Sequence, residues 1–280
     1  MTKRIKHGGQ LIHQSVRLIR QQKKLILLPL CSSILIILLM AFLYVPLTHY
    51  EKKQVLEHAT ASTVVWAYVA LLLFLFVIHQ IAIHFTAALT HCAKQYFKNK
   101  PICITEGIKA ANSHFIQLYN WNSYAGTIGI FFNIFQKALK NLKFYQRMFQ
   151  GLSWIIGTHL VIPVIMNDKS GPVNSIKTSS ELIRKTWGTN LKANFGFLPL
   201  LVLARFLTLI PLIVGAIKGG HLNILVGTGT TVALIVLVST ISAATRSILN
   251  CALHIYASEG TVVPAYSEEL IRKAFIPKTD

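Results

Sequence analysis

Long apolar stretches separated by short basic segments set the pattern of this chain. Four stretches are long enough to cross a bilayer, roughly Leu25–Leu47, Val64–Thr86, Phe195–Ile217 and Ile224–Leu249, because a spanning helix needs about 20 mostly apolar residues. Two shorter ones, Tyr119–Phe135 and Leu152–Met166, sit near the lower limit of about 17 residues. They read as crossings, as an interfacial hairpin, or as a pair of buried, re-entrant segments.

Two further segments carry helical periodicity but are too polar to cross. From Ser170 to Asn190 the chain reads SGPVNSIKTSSELIRKTWGTN. Val173, Ile176, Ser180, Ile183 and Trp187 recur at steps of three or four, which makes one helical face. Pro172 suits a first helical position and Gly188 the residue just past the end. Lys177, Arg184 and Lys185 lie on other faces. The N-terminal 24 residues repeat the design, with Ile12, Val16 and Ile19 as the apolar stripe and His13, Arg17, Arg20 and Lys24 as the basic one. Both segments fit helices lying in the headgroup plane, with Trp187 as an interfacial anchor and the cations on anionic lipid. A docking site for a protein partner is the other reading.

Composition narrows the class. Only 13% of residues are charged, about half the usual share for a soluble domain. The 28 Lys and Arg stand against 9 Asp and Glu, but they lie between the apolar runs rather than on a polar domain. That is the arrangement of the positive-inside rule, and it argues against nucleic-acid binding. With six crossings, both termini fall in the cytoplasm. The cations of 137–147 then lie outside; with four crossings they move inside, and charge alone prefers that arrangement. The first apolar run follows a basic stretch and is too long for a signal core, so it is expected to be retained. The expected compartment is a bacterial cytoplasmic membrane. No linker divides the chain, which reads as one integral membrane domain: a tail over 1–24, a bundle over 25–257 and a second tail over 258–280.

Candidate chemistry is sparse. The four cysteines form no Cys-x-x-Cys pair, and the histidines His79, His84 and His91 have no acidic or thiol companions at metal spacing. No nucleophile–base constellation, phosphate loop, metal or cofactor site is expected, and no catalytic residue is assigned. Every acid lies outside the apolar runs, which removes a carboxylate proton relay. Arg205, by contrast, falls about ten residues into its run, roughly 15 Å deep at 1.5 Å per residue. In the last run Ser239, Ser242, Arg246, Asn250 and His254 form a polar stripe, beside a small-residue series of Ser239, Ala243, Ser247 and Cys251. Such a face is expected to look into a bundle. Arg205, Arg246, Asn250 and Ser242 are therefore the candidate buried anion site.

Several pieces carry a resemblance: EGIKAA at 106–111, GLSW at 151–154, HLVIPVIM at 159–166, GPVNSIKTSSELIRKTWG at 171–188, ALHIYASEG at 252–260 and KAF at 273–275. On these the chain resembles a family of multi-pass membrane proteins classed only as a domain of unknown function. The resemblance implies six helices and assigns no activity. The expected protein is all-helical, with six crossings and two in-plane helices. It is expected to be non-enzymatic, binding anionic membrane lipid or scaffolding a protein partner or a second copy. A small permease for an anionic or lipid-like solute is the alternative.

Overall fold

The computed structural model describes residues 2–49, 61–135, 157–188, 191–193 and 198–277. Eleven helices fall within them: α1 Thr2–Gln21, α2 Lys24–His49, α3 Ala61–Phe97, α4 Ile104–Ser113, α5 Phe115–Phe135, α6 Val161–Asp168, α7 Pro172–Trp187, α8 Leu198–Leu207, α9 Ile210–Lys218, α10 His221–Glu259 and α11 Glu268–Arg272. One short antiparallel ribbon, Leu191–Ala193 against Phe275–Pro277, ties the segment after α7 to the C-terminal end. The expected all-helical class holds apart from that ribbon.

Three of these helices are long and apolar enough to cross a membrane: Lys24–Phe42 within α2, Val65–Phe97 within α3, and α10. The 37 residues of α3 and the 39 of α10 extend about 55–60 Å, nearly twice the hydrocarbon thickness of a bilayer. Each helix has two different environments along its length. At one end large side chains are bare, among them Phe42 (78% exposed), Trp66 (71%) and Leu222 (71%). At the other end Ala88, Leu89, Ala93, Ile248 and Leu249 are within 1% of full burial. The molecule is thus a bare apolar stem joined to a packed helical head.

Antiparallel neighbours fill the stem. Tyr119 of α5 meets Phe76 of α3 edge-on at 5.4 Å, and Asn122 bonds His79 at 2.6 Å. Asn122 also donates to the Phe76 carbonyl and to Gln80. Ser33 of α2 lies 3.2 Å from Thr240 of α10. α9 runs back along the first half of α10 so closely that Gly215 and Gly227 face each other. A methyl group on Gly227 would come within 2.6 Å of the Pro211 carbonyl oxygen.

Three expectations change at this level. The run Phe195–Ile217 is not one uninterrupted helix. Pro211 has no N–H and crowds the preceding turn, so the backbone tightens to i→i−3 bonds at Thr208 and Leu209, and α8 gives way to α9. The freed Leu212 N–H is recovered by Thr231 Oγ1 of α10 at 3.1 Å, the usual way a neighbouring helix tolerates an intramembrane proline.

Second, Val161–Met166, expected as part of a crossing, belongs to the head. Val161, Val164 and Ile165 are fully buried there, and Asn167 meets Lys94. Residues 152–156 of that expected span lie outside the described residues, as do the cations of 137–147.

Third, the stripes of α1 and α7 are partly covered by the head: Ile19 of α1 and Ile183 of α7 are buried in its core together with Leu11 and Leu18, whereas Val173 stays 61% exposed. Ser15 bonds the Tyr266 hydroxyl at 2.6 Å, pinning α1 to the chain before α11. Burial pushes the Tyr266 phenol well up from its ordinary pKa, against the opposing effect of the Ser15 hydrogen bond. The Trp187 indole N–H donates to the Ile271 carbonyl at 3.1 Å and its half-buried ring leans on Tyr256, which ties α7 to the C-terminal part of the head. The expected ends of this segment hold, with Pro172 in the first turn of α7 and Gly188 closing it at φ +94°.

Candidate functional site

Two places in the molecule collect cations. The first contains the residues singled out from the sequence. Arg205 lies on α8 among Leu203 (56% exposed), Phe206 (66%) and Leu207 (53%), so it stands on the bare apolar face and is itself exposed. Arg246 is also exposed, on α10, near enough for the two positive charges to act on each other. Among the described residues the ion pairs are Lys98–Glu259, Arg272–Glu268 and Lys273–Glu269, and neither arginine takes part.

The expectation that these arginines are buried is therefore corrected, and helix geometry gives the reason. At about 100° per residue, Ser242 and His254 sit about 60° to either side of the line through Ser239, while Arg246 and Asn250 lie about 20° from it. The flanks are buried, the centre is not: Ser242 is 3% exposed and His254 6%, whereas Ser239 and Asn250 are half-buried and Arg246 open. A polar stripe about 120° wide straddles a helix edge. Asn250 donates to the His159 carbonyl at 3.0 Å and ties α10 to the turn before α6. The Ser242 hydroxyl has no hydrogen-bond partner among the described residues.

The small-residue series drifts inward along the same helix. At its head end Ser247 and Cys251 close onto α3, where Ser247 bonds Thr90 and the Thr86 carbonyl, and the Cys251 thiol points at the Thr90 carbonyl. The expected close approach of helices is found there. Of the basic residues expected at the lipid headgroups, Arg17, Arg20, Lys24, Lys177, Arg184 and Lys185 are all exposed on the head.

The second place was not singled out from the sequence. A cavity of about 340 Å³ opens between α3, α6 and α10 in the head. His91, Lys94 and Gln95 line it from one face of α3, and Lys98 and Lys100 from the turn that follows. Asn167 of α6 and His254 of α10 complete its polar wall. The signal was present: positions 91, 94, 95 and 98 follow the i, i+3, i+4, i+7 pattern of one helix face. It was hidden because lysines just beyond an apolar run are also what the positive-inside rule leaves there.

The histidines that invite a metal reading separate in space. His79 bonds Asn122 in the stem, His84 packs edge-on to Phe85 and Phe115, and His91 faces Gln95. A wider groove of about 590 Å³ between α3 and α5 is lined by Leu72, Leu73 and Leu75 together with His79 and the buried Asn122.

Residues 65–263 match a family described as a family of unknown function (DUF6159). The chain belongs to that family. The match starts at Val65 in α3 and ends at Val263, beyond α10. It includes both cation clusters and leaves α1, α2 and α11 outside. No curated protein and no solved structure matches the chain.

Proposed function

We propose that this is a non-enzymatic, polytopic membrane protein that holds anionic phospholipid at Arg205 and Arg246 and presents its basic helical head as a platform at the membrane face. The observation that carries this reading is that two exposed guanidiniums, Arg205 on the bare apolar face of α8 and Arg246 on the polar stripe of α10, lie within electrostatic reach of each other. A charged side chain at mid-bilayer costs about 2.5–3.5 kcal/mol even on insertion scales. A second like charge within reach adds to that cost, and an anionic lipid phosphate between them relieves both. Guanidinium suits the task because its planar fork pairs with phosphate oxygens two at a time. The closed seam at Ser247 and Cys251 favours a lipid-holding scaffold over a permease.

The fuller topology is part of the same proposal: six crossings with the head in the cytoplasm. α2 leaves the head and α3 returns. α5 leaves antiparallel to α3, and α8 with α9 leaves antiparallel to α10. The cations of α1, α3 and α7 then all fall on the cytoplasmic side, as charge bias requires. Labelling Lys143→Cys from outside intact cells tests this. Reaction is expected; protection there with normal reaction at Lys52→Cys rejects six crossings.

Lipid binding is tested by melting the wild type, Arg205→Leu and Arg205→Lys in phosphatidylcholine nanodiscs with and without phosphatidylglycerol. The anionic lipid is expected to stabilise the wild type, to stabilise Arg205→Lys about half as much because Lys keeps charge without the fork, and to leave Arg205→Leu unchanged. Equal shifts in all three overturn the site.

A further inference from the structure

We propose that the head cavity between α3, α6 and α10 is a binding site for a phosphate monoester, separate from Arg205 and Arg246. Its donors are built on rigid elements. His91, Lys94 and Gln95 share one face of α3, and Lys98, just past its end, keeps a bond from its N–H to the Lys94 carbonyl at 3.1 Å. Asn99, at φ 55°, then turns the chain in the left-handed region, and the Lys100 N–H caps the Gln95 carbonyl at 2.9 Å, which brings a third lysine over the same opening.

The charge on this wall is only partly answered. Lys94 gives its ammonium to a neutral acceptor, Asn167 Oδ1, at 2.5 Å, and Asn167 in turn donates to Asp168. Lys98 pairs with Glu259 at 3.1 Å, but both side chains are more than 40% exposed, and surface pairs of that kind exchange readily. Glu259 and Asp168 lie near His254 and Glu106 near His91, and among the described residues only Lys98 of the three lysines is in a direct ion pair. Asn167 can release Lys94 without leaving a buried charge.

The chemical class follows from number and spacing. Three separate ammoniums ask for an acceptor with several oxygens and more than one negative charge. A phosphate monoester carries about −1.5 to −2 at pH 7 and three strong acceptor oxygens, where a carboxylate offers one charge and two. Lysine binds phosphate as a point charge and needs no planar partner. The cavity of about 340 Å³ is at the small end of ligand pockets, with room for a phosphate and a short organic remainder. Two sources share this chemistry, a soluble phosphate monoester and the monoester headgroup of a phosphatidic acid.

The test uses the full chain in phosphatidylcholine nanodiscs, with melting temperature as the readout. One arm titrates inorganic phosphate at constant ionic strength; the other replaces part of the lipid with phosphatidic acid and omits phosphate. Lysines near a helix C-terminus also stabilise the helix itself, so the baseline of a variant carries no weight. The increment produced by the anion does. Saturable stabilisation is expected in at least one arm, with half-saturation at least tenfold higher in Lys94→Gln/Lys98→Gln and unchanged in Arg272→Gln, at an exposed residue outside the cavity.

Should the double variant fail to fold, Lys98→Gln alone replaces it, with an expected shift of at least threefold. A response to phosphate alone identifies a soluble ligand, and a response to phosphatidic acid that depends on Lys94 and Lys98 identifies the lipid. No saturable response in either arm, or equal half-saturation in wild type and the Lys94/Lys98 variants, overturns the proposal. Arg205→Leu should leave the phosphate response, and the part of the phosphatidic-acid response that depends on Lys94 and Lys98, intact, so the arginine site and the head cavity fail independently.

Discussion

Replacing Gly227 with alanine puts the packing of the stem to a direct test. The added methyl would sit 2.6 Å from the Pro211 carbonyl oxygen and 3.3 Å from Gly215 Cα, both backbone atoms of α9. No side chain can turn aside to make room, so α9 must move away by roughly half an ångström or more to restore ordinary contact, the 3.5–4.0 Å of optimal packing being further still. That motion stretches the 3.1 Å bond from Leu212 N–H to Thr231 Oγ1 beyond a useful hydrogen-bond length. Overpacking of this kind costs about 1–3 kcal/mol, and the lost bond adds about 1 kcal/mol. The control lies half a turn away on the same helix. Gly229 has nothing within 4 Å of the position its methyl would take, so Gly229→Ala keeps only the helix-propensity gain of about 0.5–1 kcal/mol. The assay is the melting midpoint of both variants in one detergent, with Thr231→Val as a third arm expected to lose about 1 kcal/mol. Gly227→Ala at or above the wild-type midpoint would refute the close α9–α10 contact. So would equal effects of the two alanines.

Three other outcomes follow from the head. Trp187→Phe keeps the ring beside Tyr256 but removes the donor to the Ile271 carbonyl. It should cost about 1 kcal/mol, roughly 2–4 °C for a chain of this size, in detergent, where an interfacial anchor would have no effect. Burial pushes the His159 imidazole from 6.5 down to about 4, helped by the Arg246 guanidinium and opposed by the hydrogen bond to Asn250. The unfolded chain therefore binds the extra proton first. Stability is full above pH 6.5 and is lost as pH falls toward 4, by at most about 3 kcal/mol at 1.36 kcal/mol per unit. His159→Gln should flatten that slope in a pH series of melting midpoints, and an unchanged slope would remove His159 as its source. Ala88→Leu, at a fully buried site, should cost about 1–3 kcal/mol through overpacking. Leu73→Ala, 62% exposed on the stem, should stay within about 0.5 kcal/mol; equal losses in the two would contradict the division into stem and head.

Local signals were the legible ones. α7 starts and stops where Pro172 and Gly188 said it would, because proline's missing N–H and glycine's access to positive φ are properties of single residues. The long runs at 25–47, 64–86 and 224–249 appear as α2, α3 and α10 because length and hydropathy alone suffice for them. What covers an amphipathic stripe is a tertiary fact. α1 and α7 have the faces of surface-lying helices, and periodicity cannot tell lipid from the buried ends of α10 and α11. Arg205 shows the same blindness in another direction. Its place along the run was readable, but the break at Thr208 and the outward turn of its side chain were set by Pro211 and by packing on α10.

The boundary between stem and head escaped the sequence for a deeper reason, because lipid and protein interior both accept apolar residues. Hydropathy stays high along α3 and α10 while the surroundings change. Side-chain size makes the distinction. The bare part of α3 carries Trp66, Tyr68, Leu71, Leu72, Leu73 and Leu75, while its packed part carries Ala87, Ala88, Cys92 and Ala93. Gly107 of α4 approaches so closely that a methyl there would sit 2.6 Å from the Cys92 sulfur and 2.9 Å from the Ala88 carbonyl oxygen. α10 repeats the change, from Leu222, Leu225 and Val226 to Ala244, Ser247, Cys251 and Ala252. Lipid tails conform to any side chain, so bulk is tolerated where they are the solvent. Helices meeting in a head must come within 8–10 Å of each other, and small residues are what allow it. The same closeness shapes the head cavity: small residues bring α3 and α10 together at Thr90 and Ser247, and one turn further on the long side chains of His91, Lys94 and Lys98 rim the opening.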